Sequence, residues 1–354
     1  MKKTINLSVL TFLAIITLGF KIDETPLEKL LKQLASLTAN YPTEKIHLHT
    51  DKPYYAVGEQ IWLKAYLVIA EKNEPSQLSK VLYTDLIDQN NQIRQSLTLE
   101  VKNGSAFGNI NIIDSLPSGN YRLRAYTNYM RNYAAHFFFE KQIKMGNVIE
   151  PAASVSQEKD KKQDIDLQFF PEGGNLVKGI RSKVGIKAVL ENGLGANLNG
   201  YVINAKKEKV AVFATTHAGM GIFALIPSTT EKHTAVVTLK DGNEKSFALP
   251  NILDNGHVLA VNNAAENLAI RVSSSATLIG EKELLVIAQS NGVVCASFSI
   301  KTDQAIITAN IPKKNFPTGI AQITLFTAEG KPIAERLSFI NHQDALKMDV
   351  SLQD

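Results

Sequence analysis

From residue 44 onward, apolar and polar residues alternate in short runs, and turn-forming residues separate these runs. This period-two pattern predicts β-strands that turn one face toward a core. Only residues 25–40 differ, because five leucines there follow helical spacing, at positions 27, 30, 31, 34 and 37. Thr25 and Glu28 match a capping box, and Pro26 suits the first helical position. We therefore predict one N-terminal helix, and we expect it to cap the first β-unit.

The β-pattern recurs with a long internal repeat. Each unit opens with a glycine that is followed by apolar residues five and seven positions later, at Gly58, Gly179 and Gly280. Each unit closes with alternating residues around a proline turn, over 107–126, 220–237 and 307–326. A unit of about 100 residues made of short strands has the size of an immunoglobulin-like sandwich. We therefore predict an all-β fold of three tandem immunoglobulin-like β-sandwiches with one short N-terminal helix.

Changes in composition along the chain set the expected boundaries. The stretch 147–165 is charged and poor in large apolar residues, which indicates a flexible linker. The expected segments are a signal peptide (1–20), the helix (21–43), sandwich 1 (44–146), the linker, sandwich 2 (166–249), sandwich 3 (250–345) and the start of a possible fourth unit (346–354). That last segment suggests that the chain could be a fragment of a longer protein.

The first twenty residues predict export. Lys2 and Lys3 precede an apolar run over 5–20 that is short for a membrane span, as in a secretory signal. Thr17 and Gly19 are the small residues for cleavage after Gly19, and an uncleaved membrane anchor is the alternative. We therefore expect the protein in the periplasm or at the outer membrane and cell surface.

Composition narrows the class of partner. The chain has 354 residues, of which 44% are hydrophobic and 20% are charged, as in ordinary globular proteins. Lys and Arg (38) nearly balance Asp and Glu (34), so neither a basic stripe nor a nucleic-acid partner is expected. The single cysteine, Cys295, forms no internal disulfide. It could be a reactive thiol, but we favour a small apolar residue on a strand.

Two histidines offer a candidate metal site. His47 and His49 lie two residues apart, and therefore on one face of a strand, with Asp51 two residues further on. The alternative is an ordinary strand that leads into a turn, with Asp51 bonded to local backbone N–H groups. We favour the alternative, because the other histidines lie at no ligand spacing. No metal-binding, cofactor-binding or catalytic residue is therefore predicted.

An aromatic and basic stretch over 121–139 gives the best candidate contact surface. Tyr and Arg are enriched at interface hot spots. The candidate partner-binding residues are Arg124, Tyr126, Tyr129, Arg131 and Tyr133. In the alternative, Tyr129, Met130 and Tyr133 pack under the first sandwich.

The stretch F-F-P-E-G-G over 169–174 contains two adjacent glycines but lacks the Lys-Ser/Thr of a phosphate loop. We expect Gly173 and Gly174 to turn the chain into the second sandwich. Glu172 is then a lone acid without a partner carboxylate.

The stretch T-D-K-P-Y-Y-A-V-G-E (50–59) resembles the opening of the second macroglobulin-type domain in the α2-macroglobulin superfamily. The likeness is closest to large exported proteins of Bacteroidota, in which such domains precede a module resembling the plug of a TonB-dependent receptor. Further matching segments are 124–133, 169–177, 217–223 and 334–341. The C-G-E-Q thioester of the macroglobulin protease traps is missing from this sequence, where Ala and Ser follow Cys295.

The resemblance implies macroglobulin-type sandwiches in a non-catalytic, exported scaffold or protein-interaction arm of an outer-membrane assembly. Its partner would be an envelope or outer-membrane protein, or downstream domains of a longer chain, and it would need no small-molecule cofactor. Contacts would use sandwich faces, loops and open strand edges. The alternative is a carbohydrate-binding β-sandwich protein that uses Tyr126, Tyr129 and Tyr133 as stacking platforms.

Overall fold

A computed structural model describes residues 24–146, 165–190, 193–239, 242–280, 283–349 and 351. The predicted signal peptide and almost all of the predicted linker lie outside these residues. Within the described chain, no helix has the length and apolarity that a membrane span requires.

The N-terminal helix α1 (Pro26–Asn40) forms where the leucine spacing predicts it. Its capping box is complete, because the Thr25 hydroxyl accepts the Glu28 N–H at 3.2 Å and the Glu28 carboxylate accepts the Thr25 N–H at 2.8 Å. The helix ends at Asn40 and is capped by Tyr41, whose N–H donates to the Leu37 carbonyl.

Sandwich 1 packs a sheet of three long strands against a sheet of five. The first sheet contains β1 (Glu44–Thr50), β3 (Gln60–Ile69) and β7 (Ser105–Asn111), with the short β4 (Glu74–Pro75) also paired to β3. The second contains β2 (Tyr54–Ala56), β9 (Phe139–Gly146), β8 (Gly119–Tyr126), β5 (Val81–Ile87) and β6 (Ile93–Glu100), in that order. Alternate residues face the core between the sheets, as the period-two pattern predicts.

Sandwich 2 repeats this arrangement with three strands against four. The smaller sheet contains β10 (Ile165–Pro171), β12 (Ser182–Leu190) and β15 (Met220–Leu225). The larger one contains β14 (Lys209–Ala214), β13 (Asn199–Ile203), β16 (Thr234–Thr238) and β17 (Glu244–Ala248). A parallel pair, β11 (Leu176–Val177) with β18 (Ile252–Leu253), corresponds to the parallel β2–β9 pair of sandwich 1.

Sandwich 3 has the same two-layer order. The smaller sheet contains β19 (His257–Asn263), β20 (Asn267–Ser274) and β23 (Ile306–Pro312). The larger one contains β22 (Val293–Lys301), β21 (Glu283–Ser290), β24 (Gly319–Thr327) and β25 (Pro332–Ile340). The all-β class and the tandem immunoglobulin-like sandwiches are therefore confirmed.

The proline segments at the ends of the repeats are structurally equivalent. They connect β7 to β8, β15 to β16 and β23 to β24, and in each case the chain crosses from the smaller sheet to the larger one. In sandwich 1 the hydroxyl of buried Tyr121 donates to the Pro117 carbonyl at 2.8 Å, four residues upstream. This bond is the tyrosine corner of immunoglobulin-like sandwiches.

The glycines at the start of the repeats are equivalent in only two of the three sandwiches. Gly58 and Gly179 precede β3 and β12, which are the central strands of the smaller sheets, whereas Gly280 precedes β21 in a larger sheet. Their φ values of +87°, +75° and +84° explain the shared glycine. The third alignment was therefore wrong by one strand, because the five-and-seven spacing of apolar residues suits any buried strand.

The position of α1 corrects a second expectation. The helix does not cap sandwich 1. Leu30 is buried against Leu285 and Ile287, on the face of β21 that points away from the core of sandwich 3. Strand β21 is buried over five consecutive residues, so it offers an apolar surface on both faces. A leucine stripe needs such a surface, and the sequence pattern of α1 alone does not say which sandwich provides it.

Sandwiches 2 and 3 meet at the F-F-P-E-G-G stretch. Buried Glu172 pairs with Arg336 of β25, with Oε1 and Nε 3.3 Å apart, so its partner is a cation and not a second carboxylate. Gly173 accepts a hydrogen bond from the Glu335 N–H at 3.3 Å. A Cβ on Gly173 would lie 2.7 Å from the Leu259 carbonyl oxygen. The two glycines therefore follow the first strand of sandwich 2, and Gly173 contacts sandwich 3. They do not lead the chain into sandwich 2, as we had expected.

Candidate interaction surface

The histidine pair lies on the solvent-exposed face of β1. The His47 ring contacts Phe139 edge-on, with centroids 5.6 Å apart, and His49 lies opposite Lys64 in the register of the sheet. The neighbours of the pair are thus aromatic rings and a cation. Across the described ranges, no group of three His, Cys, Asp or Glu residues could hold a metal ion.

Asp51 stabilises the turn through more distant partners than we predicted. Its Oδ1 accepts the Tyr55 hydroxyl at 2.6 Å and the Trp62 N–H at 3.0 Å. Burial opposes ionisation of Asp51, but these hydrogen bonds outweigh it and the pKa of the carboxyl is lowered. Burial, followed by the bond to Asp51, raises the pKa of Tyr55 to about 12.

The predicted Tyr and Arg cluster is divided between several structural contacts. The Tyr126 ring stacks between Tyr83 and Phe138, with centroids 5.6 Å and 5.0 Å away. Arg124 forms an ion pair of 3.0 Å with buried Asp85. Because both faces of the Tyr126 ring contact other rings, this residue offers a sugar no free stacking platform.

The rest of the cluster holds the chain between α1 and β1. The Tyr129 hydroxyl donates to the Pro42 carbonyl at 2.8 Å, and the Tyr133 hydroxyl reaches the Tyr41 carbonyl at 3.4 Å. Burial, together with the hydrogen bond to Tyr133, raises the pKa of Tyr129 to about 12. Arg131 is exposed to solvent. Four of the five residues therefore have structural contacts, and the partner-binding role of the five stays a prediction.

Sequence reasoning missed a buried carboxylate at the start of sandwich 1. Glu44 accepts hydrogen bonds from the hydroxyls of Ser76 (2.6 Å), Ser79 (2.8 Å) and Thr127 (2.7 Å). These bonds join β1 to the segment before β5 and to the end of β8. The available signal was an acid at an inward position of the alternation in β1.

Sequence reasoning also missed an exposed aromatic surface of sandwich 1, which we call the Trp62 face. It consists of the outward side chains of β1, β3 and β7. Its members are Lys45, His47, His49, Gln60, Trp62, Lys64, Tyr66, Val68, Ser105, Phe107, Asn109 and Asn111. The exposed fraction is 57% for Trp62, 37% for Tyr66 and 66% for Phe107. Trp62 is the only tryptophan of the chain.

Lys64 lies at the centre of the Trp62 face. Its Nζ is 4.9 Å from the centroid of the Tyr66 ring and 5.2 Å from that of Phe107, which is cation–π distance. Among the described residues, Lys64 forms no ion pair with a carboxylate. The face contains two lysines, two histidines and no acid, so its charge suits an anionic group.

Cys295 is half-buried and packs against the core of sandwich 3. Burial raises the pKa of its thiol, which disfavours the reactive thiolate. These contacts agree with the apolar role that we favoured.

Comparison with known proteins gives similarity in structure only. No protein-family model matches the chain, and no curated protein matches it. E. coli α2-macroglobulin in its native conformation is similar at 11% identity and a TM-score of 0.26, over 87% of this chain and 23% of that one. Salmonella α2-macroglobulin reacted with methylamine is similar at 9% identity and a TM-score of 0.25, over 84% and 23%. The BSP domain of a biofilm-associated protein is similar at 13% identity and a TM-score of 0.26, over 89% and 70%.

The chain thus spans about a quarter of the length of these macroglobulins. At these identities and TM-scores, the similarity supports no inference about the activity of this chain.

Proposed function

We propose that this chain is a non-catalytic protein-interaction arm, exported to the cell envelope as part of an outer-membrane assembly. The observation that carries the proposal is the Trp62 face, where a tryptophan and two further aromatic side chains are exposed on the outer side of one sheet. Exposed aromatic clusters of this kind mark contact sites with other proteins.

The four buried acids among the described residues have structural partners. Glu44 is bonded to three hydroxyl groups, and the other three pair with arginines, as Asp85–Arg124, Asp88–Arg94 and Glu172–Arg336. Most of these contacts join separate strands or sandwiches. This use of buried charge supports a scaffold, since a catalytic acid would need access to a substrate.

The three sandwiches are also fastened to one another. Helix α1 packs on sandwich 3, and the residues after it are held by Tyr129 of sandwich 1. The Glu172–Arg336 pair joins sandwiches 2 and 3. A rigid arm of this kind can present a binding face at a defined distance from its attachment.

The proposed export and the proposed outer-membrane assembly are supported by the sequence alone. The basic and apolar pattern of residues 1–20 supports a secretory signal. The resemblance of residues 50–66 to macroglobulin-type domains of exported Bacteroidota proteins supports an envelope or outer-membrane partner, or downstream domains of a longer chain. A link to TonB-dependent transport is the most specific form of this proposal.

Cell fractionation combined with chemical crosslinking tests the proposal. The tagged full chain should appear in the envelope fractions, and crosslinking in cells should capture one dominant envelope protein, identified by mass spectrometry. Retention in the cytoplasm, or the capture of no envelope protein, would overturn the proposed function.

A further inference from the structure

We infer that the Trp62 face is a docking surface for an acidic protein segment that places carboxylates beside Lys64 and apolar side chains against Trp62 and Phe107. This inference rests on the proposed function and names the surface and the chemistry of the partner.

Charge complementarity is the first argument. The outward positions of β1, β3 and β7 contain Lys45, Lys64 and two histidines, but no Asp or Glu. The one acid within β1, Glu44, points inward and is fully bonded. An acidic partner would therefore meet cations on this face without a repelling carboxylate among these positions.

The arrangement around Lys64 is the second argument. Its ammonium lies between the rings of Tyr66 and Phe107 and has no carboxylate partner among the described residues. An approaching carboxylate can pair with it while the rings shield the pair from water, which strengthens the attraction. The register fixes this group, because Lys64 pairs with His49 on β1 and with Phe107 on β7.

The combination of rings and cations favours a protein partner. One face of the Tyr66 ring and one face of the Phe107 ring are covered by the Lys64 ammonium. The surface therefore joins aromatic and apolar groups with cations, which suit a mixture of apolar and acidic side chains. Because β3 is bonded on both sides, a partner contacts Trp62 and Lys64 through side chains and not as a strand added to β3.

The size of the Trp62 face limits how tightly a partner can bind to it. Seven residues along each strand give a length of roughly 23 Å, and the widths of three strands give roughly 14 Å. The face therefore covers about 300 Å². A stable complex buries about 800 Å² on each partner, so we expect this face alone to support a weak, transient contact.

The intrinsic fluorescence of the single tryptophan tests the inference directly. The probe is a synthetic peptide of repeated Glu-Glu-Tyr units, titrated into the full chain at low salt, with a Lys-Lys-Tyr peptide as control. We expect a blue shift of the Trp62 emission with the acidic peptide only. We also expect at least tenfold weaker binding when salt rises to several hundred millimolar.

Variants locate the site. Anisotropy of the labelled acidic peptide should show at least tenfold weaker binding for Trp62→Ala and for Lys64→Gln. Phe170→Ala is the matched control, because Phe170 is 53% exposed on the corresponding small sheet of sandwich 2. Its binding should equal that of the wild type, and circular dichroism should show that all three variants are folded.

Three results would overturn the inference: an unchanged Trp62 emission at millimolar acidic peptide, equal binding by Lys64→Gln, or a blue shift with sodium alginate but not with the peptide. Alginate carries carboxylates on a polysaccharide and so represents the glycan alternative. If the envelope partner is still captured in cells by the Trp62→Ala and Lys64→Gln variants, this docking surface is refuted while the proposed function stands.

Discussion

The junction between sandwiches 2 and 3 allows a sharp test, because two adjacent glycines share a positive φ but differ in their contacts with sandwich 3. Gly173 and Gly174 both have positive φ, +82° and +100°, so alanine at either position costs about 1–2 kcal/mol of backbone strain. A Cβ on Gly174 meets no atom within 4 Å. A Cβ on Gly173 would lie 2.7 Å from the carbonyl oxygen of Leu259 in sandwich 3, so the sandwiches would have to separate.

The magnitude follows from the contacts that separation would disturb. Overpacking costs about 1–3 kcal/mol. Loss of the hydrogen bond from Glu335 to the Gly173 carbonyl adds about 1 kcal/mol. We therefore expect Gly173→Ala to lower the free energy of unfolding by about 2 kcal/mol or more beyond Gly174→Ala. For a unit of two sandwiches this corresponds to roughly 4–8 °C in Tm.

Differential scanning calorimetry of both variants measures this difference. In Gly173→Ala, the transition of sandwiches 2 and 3 should move to lower temperature and broaden, because the contact that couples them is weakened. Equal Tm values for Gly173→Ala and Gly174→Ala would refute the assignment of Gly173 to a tight contact between the two sandwiches.

Two further predictions concern α1 and the turn after β1. Leu30→Ala should lower the free energy of unfolding by about 2–3 kcal/mol, because Leu30 is buried against β21. Leu37→Ala should change the free energy of unfolding by less than about 0.5 kcal/mol, because Leu37 is 57% exposed. Urea unfolding measures both, and equal effects would contradict the packing of α1. Since the folded pKa of Tyr55 is about 12, above the ordinary value near 10, its contribution to stability is complete below pH 10 and is lost as pH rises toward 12. Tyr55→Phe should flatten the alkaline fall of the urea midpoint, and an unchanged slope would refute this.

Local secondary structure could be predicted from the sequence. The capping box and leucine spacing give α1 within a residue, and alternation places Tyr121, Leu123 and Ala125 inside β8. These features depend on neighbours in the chain, so a single sequence contains them.

The sandwich against which α1 packs could not be predicted from the local sequence. Its leucine stripe requires an apolar surface, but that surface is formed by Leu285 and Ile287, about 250 residues further along the chain. The unbroken apolar run of β21 was the one signal for it, since a strand with one wet face would alternate. The Glu172–Arg336 pair was hidden for the same reason, because an ion pair between sandwiches leaves no spacing in the sequence.

The Trp62 face could be predicted from the sequence only in part. Once Leu63 and Ala65 are assigned to the core, alternation already turns Trp62, Lys64 and Tyr66 outward. What the sequence lacks is the strand pairing that brings Phe107 beside Lys64. The predicted Tyr and Arg cluster attracted attention by its composition, yet much of it is used to hold the chain between α1 and β1.

Site-specific photo-crosslinking in cells tests the central claim most directly. A photoreactive phenylalanine analogue replaces Phe107 on the Trp62 face, and the same analogue replaces Phe170 on sandwich 2 as the control. The account predicts a crosslink from position 107, and none from position 170, to an envelope protein through an acidic segment. Equal crosslinks from both positions, or none from position 107, would contradict it.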